Sequence, residues 1–355
     1  MNVTAIVDLQ FGSTGKGLLA GYLSLNNDYD AVVSANMPNA GHTFVAEDGT
    51  KWVHKVLPSG VYSPSLKYIM VGPGAVFDIG QLFKEVVGLR QQGVNAEVVI
   101  HESAAILKHE HRVMEEDKLS GISSTMQGSM EAMYEKMQRE GNAVQGNIAK
   151  NYVSRIVETG AVVWSNAMWM TTLAGLKNVL VEGSQGYSLG INAGFYPYCT
   201  SRDCTVWRLL ADCAMPLTSA ANLKVIGTAR VHPIRVGNTK DGFSGPCYND
   251  QNELTWEQLG QTPETTTVTG RIRRVFTFSE RQIMEAVMAS SVSEVFLNFC
   301  NYDPGEAIRI VTLIDKMGRN MLKESHMGYA ENYNMVRYLG FGAKASQILR
   351  AGSYE

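Results

Sequence analysis

The residues of this chain with the most chemical potential sit in three short stretches. Gly12-Ser13-Thr14-Gly15-Lys16-Gly17 offers a backbone free of side-chain obstruction, so successive amides can converge on one anion. A helix following it would place its positive end behind those amides. Lys16 adds a mobile cation for the β- or γ-phosphate of a nucleotide. The stretch is shorter than a complete Walker loop, and Gly17 stands where that loop carries its magnesium-binding hydroxyl. Taken alone, it fits a plain strand-to-helix turn equally well. Arg271 and Arg273 lie two apart in a threonine-rich segment, where extended backbone would aim both to one side. Paired guanidinium forks suit two carboxylates, a ribose or a phosphate, and the bland alternative is a solvated basic run. His42, in Asn39-Ala40-Gly41-His42-Thr43, is a candidate acid or hydrogen-bond donor, although an isolated loop histidine more often serves structure.

These residues need elements to hold them. Val3 to Leu9 is a short apolar run ending at the glycine stretch, and Leu18 to Leu25 then has helical character, which is the opening of a phosphate-binding α/β unit. Further buried-strand candidates are Ala31–Ser34, Tyr68–Val71, Ala96–Ile100, Asn178–Val181, Val225–Thr228 and Glu294–Asn298. Helix-like segments such as Ile79–Gln91 and Arg281–Ser290 separate several of them. The expected fold is α/β and P-loop-like, with a largely parallel central sheet and flanking helices. Residues 102–170, rich in Met, Glu and Lys with few strand signals, read as a helical insertion within a single domain spanning 1–355.

Composition narrows the class. The 355 residues are 45% hydrophobic and 18% charged, as in a soluble globular enzyme. A net charge of −3 gives no reason to expect a nucleic acid polymer as partner, whereas a local cationic cluster would suffice for small anions. The five cysteines (Cys199, Cys204, Cys213, Cys247, Cys300) include no C-x-x-C pair, and an odd count without a secretory segment points to reduced thiols in a cytoplasm. MNVTAIVDLQFGS turns polar too soon for a signal peptide, and no apolar run reaches the ~20 residues that span a membrane.

The motifs occur together and in a recognisable order. Gln10-Phe11-Gly12-Ser13-Thr14-Gly15-Lys16-Gly17 resembles the opening Q-W-G-D-E-G-K-G of the adenylosuccinate synthetase family, and Asn39-Ala40-Gly41-His42-Thr43 matches that family's N-A-G-H-T. Leu57-Pro58-Ser59-Gly60 resembles its H-x-x-P-S-G region, with His54 one position early. Ser124-Thr125-x-x-Gly128 is similar to its nucleotide-binding threonine loop. Glu182-Gly183-Ser184-Gln185-Gly186 and Tyr196-Pro197-Tyr198-Cys199-Thr200-Ser201 resemble E-G-A-Q-G and Y-P-Y-V-T-S. Thr265-Thr266-Thr267-Val268-Thr269-Gly270-Arg271-Ile272-Arg273-Arg274 resembles its aspartate-binding, arginine-rich loop. The resemblance covers about residues 3–345.

What the resemblance implies is a carbon–nitrogen ligase that phosphorylates O6 of a purine nucleotide and then displaces the phosphate with the amine of aspartate. Gly12, Ser13, Thr14, Gly15, Lys16 and Gly17, together with Gly41, His42, Thr43 and Arg273, would hold the donor triphosphate. Asn39, Ala40, Ser124, Thr125, Gln185, Thr200 and Arg271, with Ser13, would hold the acceptor nucleotide. Thr267, Val268, Thr269, Arg271 and Arg273 would bind aspartate. Ser13 and Gly41 would face Mg2+, and His42 would stabilise or protonate the bridging oxygen. Arg139 matches an arginine that in family members reaches the neighbouring subunit's nucleotide, which implies a homodimer.

Departures from the family pattern redirect the substrate. The family's aspartate after the first loop glycine, a base for the purine N1 proton, is Ser13 here; a hydroxyl is no base near neutral pH, but it leaves room for a 2-amino group. The family reads a GTP donor with T-K-x-D, and Asn298-Phe299-Cys300-Asn301 stands in its place, so Asn298 and Asn301 are expected to suit an adenine edge. The chain is also compact for the family. These features resemble a specialised phage branch, whose members take dGMP, aspartate and ATP or dATP towards the 2-aminoadenine of some phage DNA, working in the host cytoplasm. The alternatives are an ordinary family member using IMP, and a nucleotide-binding switch without ligase chemistry.

Overall fold

The computed structural model describes the chain except for residues 123, 140–145, 219–220, 241, 267–269, 325–332 and 352–355. Its frame is a ten-stranded sheet. In spatial order the strands are Ile348–Arg350, Val336–Gly340, Glu294–Asn298, Asn222–Arg230, Asn2–Asp8 (β1), Asn178–Glu182, Ala31–Ser34, Tyr68–Val71, Glu97–His101 and Ala161–Trp164. All neighbours are parallel except the edge pair Val336–Gly340 and Ile348–Arg350. A parallel sheet must be covered on both faces, which is why its strands read as continuous apolar runs. Alternation along β1 divides the core accordingly. Val3, Ala5 and Val7 pack with Trp169, Leu173 and Ile283 on one face, while Ile6 packs with Leu18, Leu19 and Leu82 on the other. The helix after β1, α1 (Lys16–Asn26), covers the Ile6 face.

The expected strands and helices are present with small boundary shifts: Ala96–Ile100 appears as Glu97–His101, and Arg281–Ser290 as Glu280–Ala289. The stretch 102–170 does hold helices, at His109–Leu119, Ser129–Gln138 and Val153–Val157. It also holds the strand Ala161–Trp164, which pairs with Glu97–His101 and ends the sheet. Four apolar residues between helical segments carry too little periodicity to separate a strand from a helix. No helix among the described residues is long and apolar enough to cross a membrane.

The arrangement that matters for chemistry lies at the carboxyl ends of four adjacent strands. Each of the four ends in a buried polar or charged residue: Asn298, Arg230, Asp8 and Glu182. Their registers, Arg230 opposite Asn298, Asp8 opposite Thr228 and Ile6 opposite Glu182, bring the four ends to one edge. Ligands of open α/β sheets bind at this edge.

Packing behind this edge gives a stability prediction. Trp169, on the helix Asn166–Gly175, is fully buried and donates its indole N–H to the Cys213 carbonyl at 3.2 Å. Trp169→Ala should lower unfolding free energy by about 3–5 kcal/mol, read from urea denaturation. Met168→Ala next to it, at a half-exposed position, should change it by less than about 0.5 kcal/mol.

Candidate active site

The loop after β1 is wound around one carboxylate. Asp8 Oδ1 accepts the backbone N–H of Gln10 at 2.9 Å and of Gly12 at 3.2 Å. Its Oδ2 accepts the Thr14 hydroxyl at 2.5 Å and the Lys16 ammonium at 2.8 Å. The carboxylate is fully buried, so charge and donors must be matched in place. Gly12 (φ 93°), Ser13 (φ 57°) and Gly15 (φ 97°) adopt the left-handed region, turning the loop into a concave nest at the start of α1. The reason for Gly17 is spatial: a Cβ there would lie 2.6 Å from the Thr43 carbonyl, because α1 packs directly on the hairpin His42–Val45 and Lys51–His54. A serine or threonine in the Walker manner has no room.

Lys16 is not a free arm. Its ammonium bonds to Asp8 and also to the Gln185 carbonyl at 2.8 Å. Gln185 in turn donates through its side chain to Asn39 Oδ1 at 2.9 Å. A continuous set of polar contacts thus runs from the phosphate loop to the segments expected to hold the acceptor nucleotide.

His42 begins the hairpin beside this path. Its Nδ1 lies 2.9 Å from Glu182 Oε1, and Glu182 Oε2 accepts the Ser59 N–H at 2.6 Å. Burial pushes the Glu182 carboxyl up, but hydrogen bonding and charge from His42, with the Ser59 N–H, hold it below the usual carboxylate range. Next to that carboxylate Nδ1 donates its N–H, and Nε2, buried and without a partner among the described residues, is left for a ligand. His54 donates from Nδ1 to the Pro58 carbonyl at 2.8 Å, which fixes the turn that presents Ser59.

Two connected hollows occupy the strand-end edge. A cleft of about 490 Å3 is lined by the whole loop Gly12–Gly17, by Asn39 to Thr43, and by Thr125, Gln185 and Arg273. A second cavity, of about 360 Å3, shares Asn39, Thr125 and Gln185 and adds Ser124 and Thr200. The buried Arg235 shapes it, donating to the carbonyls of Tyr198 at 3.0 Å, Ser244 at 2.5 Å and Pro246 at 2.8 Å. Arg271 donates to the Ser124 carbonyl at 3.1 Å, on the acceptor side, whereas Arg273 lines the donor cleft and bonds through Nε to the Thr265 carbonyl at 3.2 Å. Arg271 itself lines neither hollow. Burial pulls the Arg273 guanidinium down to about 10, only partly offset by Glu264, so an anionic ligand would stabilise its charge.

Some expected residues stand elsewhere. Asn298 does not present its amide to the cleft: Nδ2 donates to the Thr14 carbonyl at 3.2 Å and Oδ1 accepts the Phe299 N–H at 2.8 Å. Asn301 is exposed and lines neither hollow, and Phe299 lines the cleft instead. Arg139 is exposed, just past the helix Ser129–Gln138, and also lines neither. Thr267, Val268 and Thr269 lie outside the described residues. Sequence reasoning missed Asp8, Arg230, Arg235 and Glu264. Only Asp8 carried a local signal, an acid closing an apolar run directly before a glycine loop; the others act through distant partners. Ser13 and Gly41, whose hydroxyl and carbonyl are expected to face Mg2+, line the same cleft. Two neutral oxygens of this kind fit Mg2+ held chiefly by phosphate oxygens and water. Among the described residues no group of three or more His, Cys, Asp or Glu side chains is placed to hold a metal ion.

Comparisons with known proteins identify the family and the fold. A family model described as adenylosuccinate synthetase matches residues 5–161 and 147–326. The N6-succino-2-amino-2'-deoxyadenylate synthase of Vibrio phage phiVC8 is 47% identical over 352 residues, covering 98% of this chain and 97% of that protein. The structure of cyanophage S-2L succinoaminodeoxyadenylate synthetase bound to dGMP and dATP as an energy donor superposes with a TM-score of 0.85 at 38% identity, over 98% of this chain and 95% of that one. A fully ligated adenylosuccinate synthetase from Plasmodium falciparum, at 19% identity and a TM-score of 0.74 over 99% of this chain and all of that one, shares the fold. The chain belongs to the adenylosuccinate synthetase family.

Proposed function

We propose that the protein joins L-aspartate to C6 of dGMP at the expense of ATP or dATP, giving N6-succino-2-amino-2'-deoxyadenylate, ADP or dADP, and phosphate. The observation that carries the ligase chemistry is His42, fixed through Nδ1 by Glu182 and with Nε2 unpartnered, in the cleft that joins the phosphate loop to the acceptor segments. In the first step the bond from the γ-phosphorus to its bridging oxygen breaks as a bond to O6 of the purine forms, and the N1 proton of the purine leaves to solvent in the open cleft. An N–H on Nε2 of His42 would donate to the bridging oxygen as charge develops there, with Nδ1–H held by Glu182, and the amides of the loop hold the other phosphate oxygens. In the second step the aspartate amine bonds to C6 while the C6–O6 bond breaks, and O6 leaves within phosphate. Arg271 and Arg273 would orient the aspartate carboxylates. Mg2+, met by Ser13 and Gly41, would neutralise phosphate charge when bound.

The choice of dGMP rests on Ser13 and on the phage relatives. Ser13 is exposed at the rim of the cleft, a small neutral group where the family's motif has a carboxylate, so a 2-amino group meets neither bulk nor an unsuited partner. A homodimer with Arg139 shared between subunits is supported by its exposed position beside Tyr134 and Met137, large exposed side chains of the preceding helix.

Two outcomes test this reading. Incubation with dGMP, aspartate, ATP and Mg2+ should give a succinylated 2-amino-deoxyadenylate by mass spectrometry; turnover of IMP with none of dGMP would instead make it an ordinary adenylosuccinate synthetase. The loop architecture makes a second prediction. Asp8→Ala removes the partner of Lys16 and should lower kcat/KM for ATP by about 100-fold, the scale of two lost charge-assisted hydrogen bonds. In Asp8→Ala/Thr14→Glu a carboxylate returns at the family's own position with little change in total side-chain volume, and at least tenfold of the loss should be recovered.

A further inference from the structure

Asn298 is engaged with the loop and Asn301 lies outside both hollows, so neither expected residue reads the base of the donor nucleotide. Phe299, between them in the chain, is half-buried, lines the donor cleft and holds a left-handed backbone at φ 60°. A bulky side chain adopts that conformation only where its surroundings over-determine it. The surroundings are specific. The guanidinium of Arg230 lies 3.8 Å from the ring centroid, and Glu264 fixes it through contacts of 2.5 and 3.2 Å. The Tyr302 ring meets Phe299 edge-on, with centroids 5.2 Å apart and planes at 67°, and its hydroxyl donates to the same Glu264 at 3.1 Å. One face of Phe299 is thereby covered by a cation and one edge by an aromatic ring, which leaves the other face for the cleft.

We propose that this remaining face is the platform on which the purine base of the donor triphosphate stacks. The donor base is then held by its π-face instead of being identified at its edge. A cation fixed behind an aromatic ring draws electron density towards itself and makes the opposite face a better partner for an electron-rich purine. Spacing from phosphate to base is set by one side chain, since Asn298 bonds to the Thr14 carbonyl of the loop and to the Phe299 N–H of the platform. Phe299 is thus a binding residue for the nucleoside part of the donor, and Arg230 and Glu264 are its positioning residues. The proposal rests on the ligase reading for its substrates.

The experiment is steady-state kinetics of the full chain with ATP varied at saturating dGMP and aspartate, alongside inhibition by tripolyphosphate, which carries the phosphates without a base. Phe299→Ala should raise KM for ATP by about tenfold, within the range measured for one base–aromatic stack, while leaving KM for dGMP and the inhibition constant of tripolyphosphate unchanged. Phe299→Tyr, which keeps the ring, should restore most of the ATP affinity. An unaltered KM for ATP in Phe299→Ala would overturn the proposal, as would equal weakening of ATP and tripolyphosphate, which would mark a collapsed loop. Absence of product from the wild-type chain would sink the ligase reading alone; calorimetric binding of ATP and tripolyphosphate to wild type and Phe299→Ala would then decide the role of Phe299 by the same comparison.

Discussion

The site is organised around a carboxylate buried beneath the phosphate loop. Asp8 ends the central strand, is fully buried, and gathers two backbone amides, a hydroxyl and an ammonium group. A buried charge with so many donors fixes them all, because losing any one leaves an uncompensated group in a low-dielectric interior. The loop therefore holds its nest shape through internal bonds, with its amides already aimed when a triphosphate arrives, so little reorganisation is needed. Lys16 extends the order outward: held by Asp8 and by the Gln185 carbonyl, it ties the donor loop to the segment that reaches Asn39. The three neighbouring strand ends do comparable work, Glu182 for His42, Arg230 for Phe299 and Asn298 for the loop itself.

Compared with the family's opening motif, the loop carries no carboxylate and one acid, Asp8, lies beneath it. That motif carries two successive carboxylates on the loop, where this chain has Ser13 and Thr14. Thr14 is buried and bonds to Asp8 and to Thr228, each at 2.5 Å, so the acid serving Lys16 lies beneath the loop and the rim is neutral. A neutral rim presents no fixed negative charge to phosphate and a smaller outline to the purine. The smaller outline leaves room for the exocyclic amine of a guanine acceptor.

Much of this was legible in the sequence because it is local. The β1–loop–α1 unit, the six expected strands and the motif around His42 each declare themselves within ten residues or so by apolar runs, glycine and spacing. What stayed hidden depends on partners far apart in the chain. Nothing near Arg230 announces Glu264, and nothing near Phe299 announces that a guanidinium lies behind its ring. The motif around Asn298 suggested a base reader, yet the side chain turns inward because the Thr14 carbonyl and the Phe299 N–H meet it there. Arg271 and Arg273, expected to point together, bond to different carbonyls, of Ser124 and of Thr265, and those partners lie far along the chain or across the loop. The strand Ala161–Trp164 was absorbed into a helical reading because its four residues gain their identity only by pairing with Glu97–His101.

If His42 and the loop do bring the terminal phosphate of the donor onto the acceptor's O6, that oxygen must depart within the released phosphate. The direct measurement is a turnover with dGMP labelled with heavy oxygen at O6, followed by mass analysis of the inorganic phosphate. The account predicts one labelled oxygen in each phosphate released. Succinylated product accompanied by unlabelled phosphate would contradict it, because aspartate would then have displaced an oxygen that was never phosphorylated.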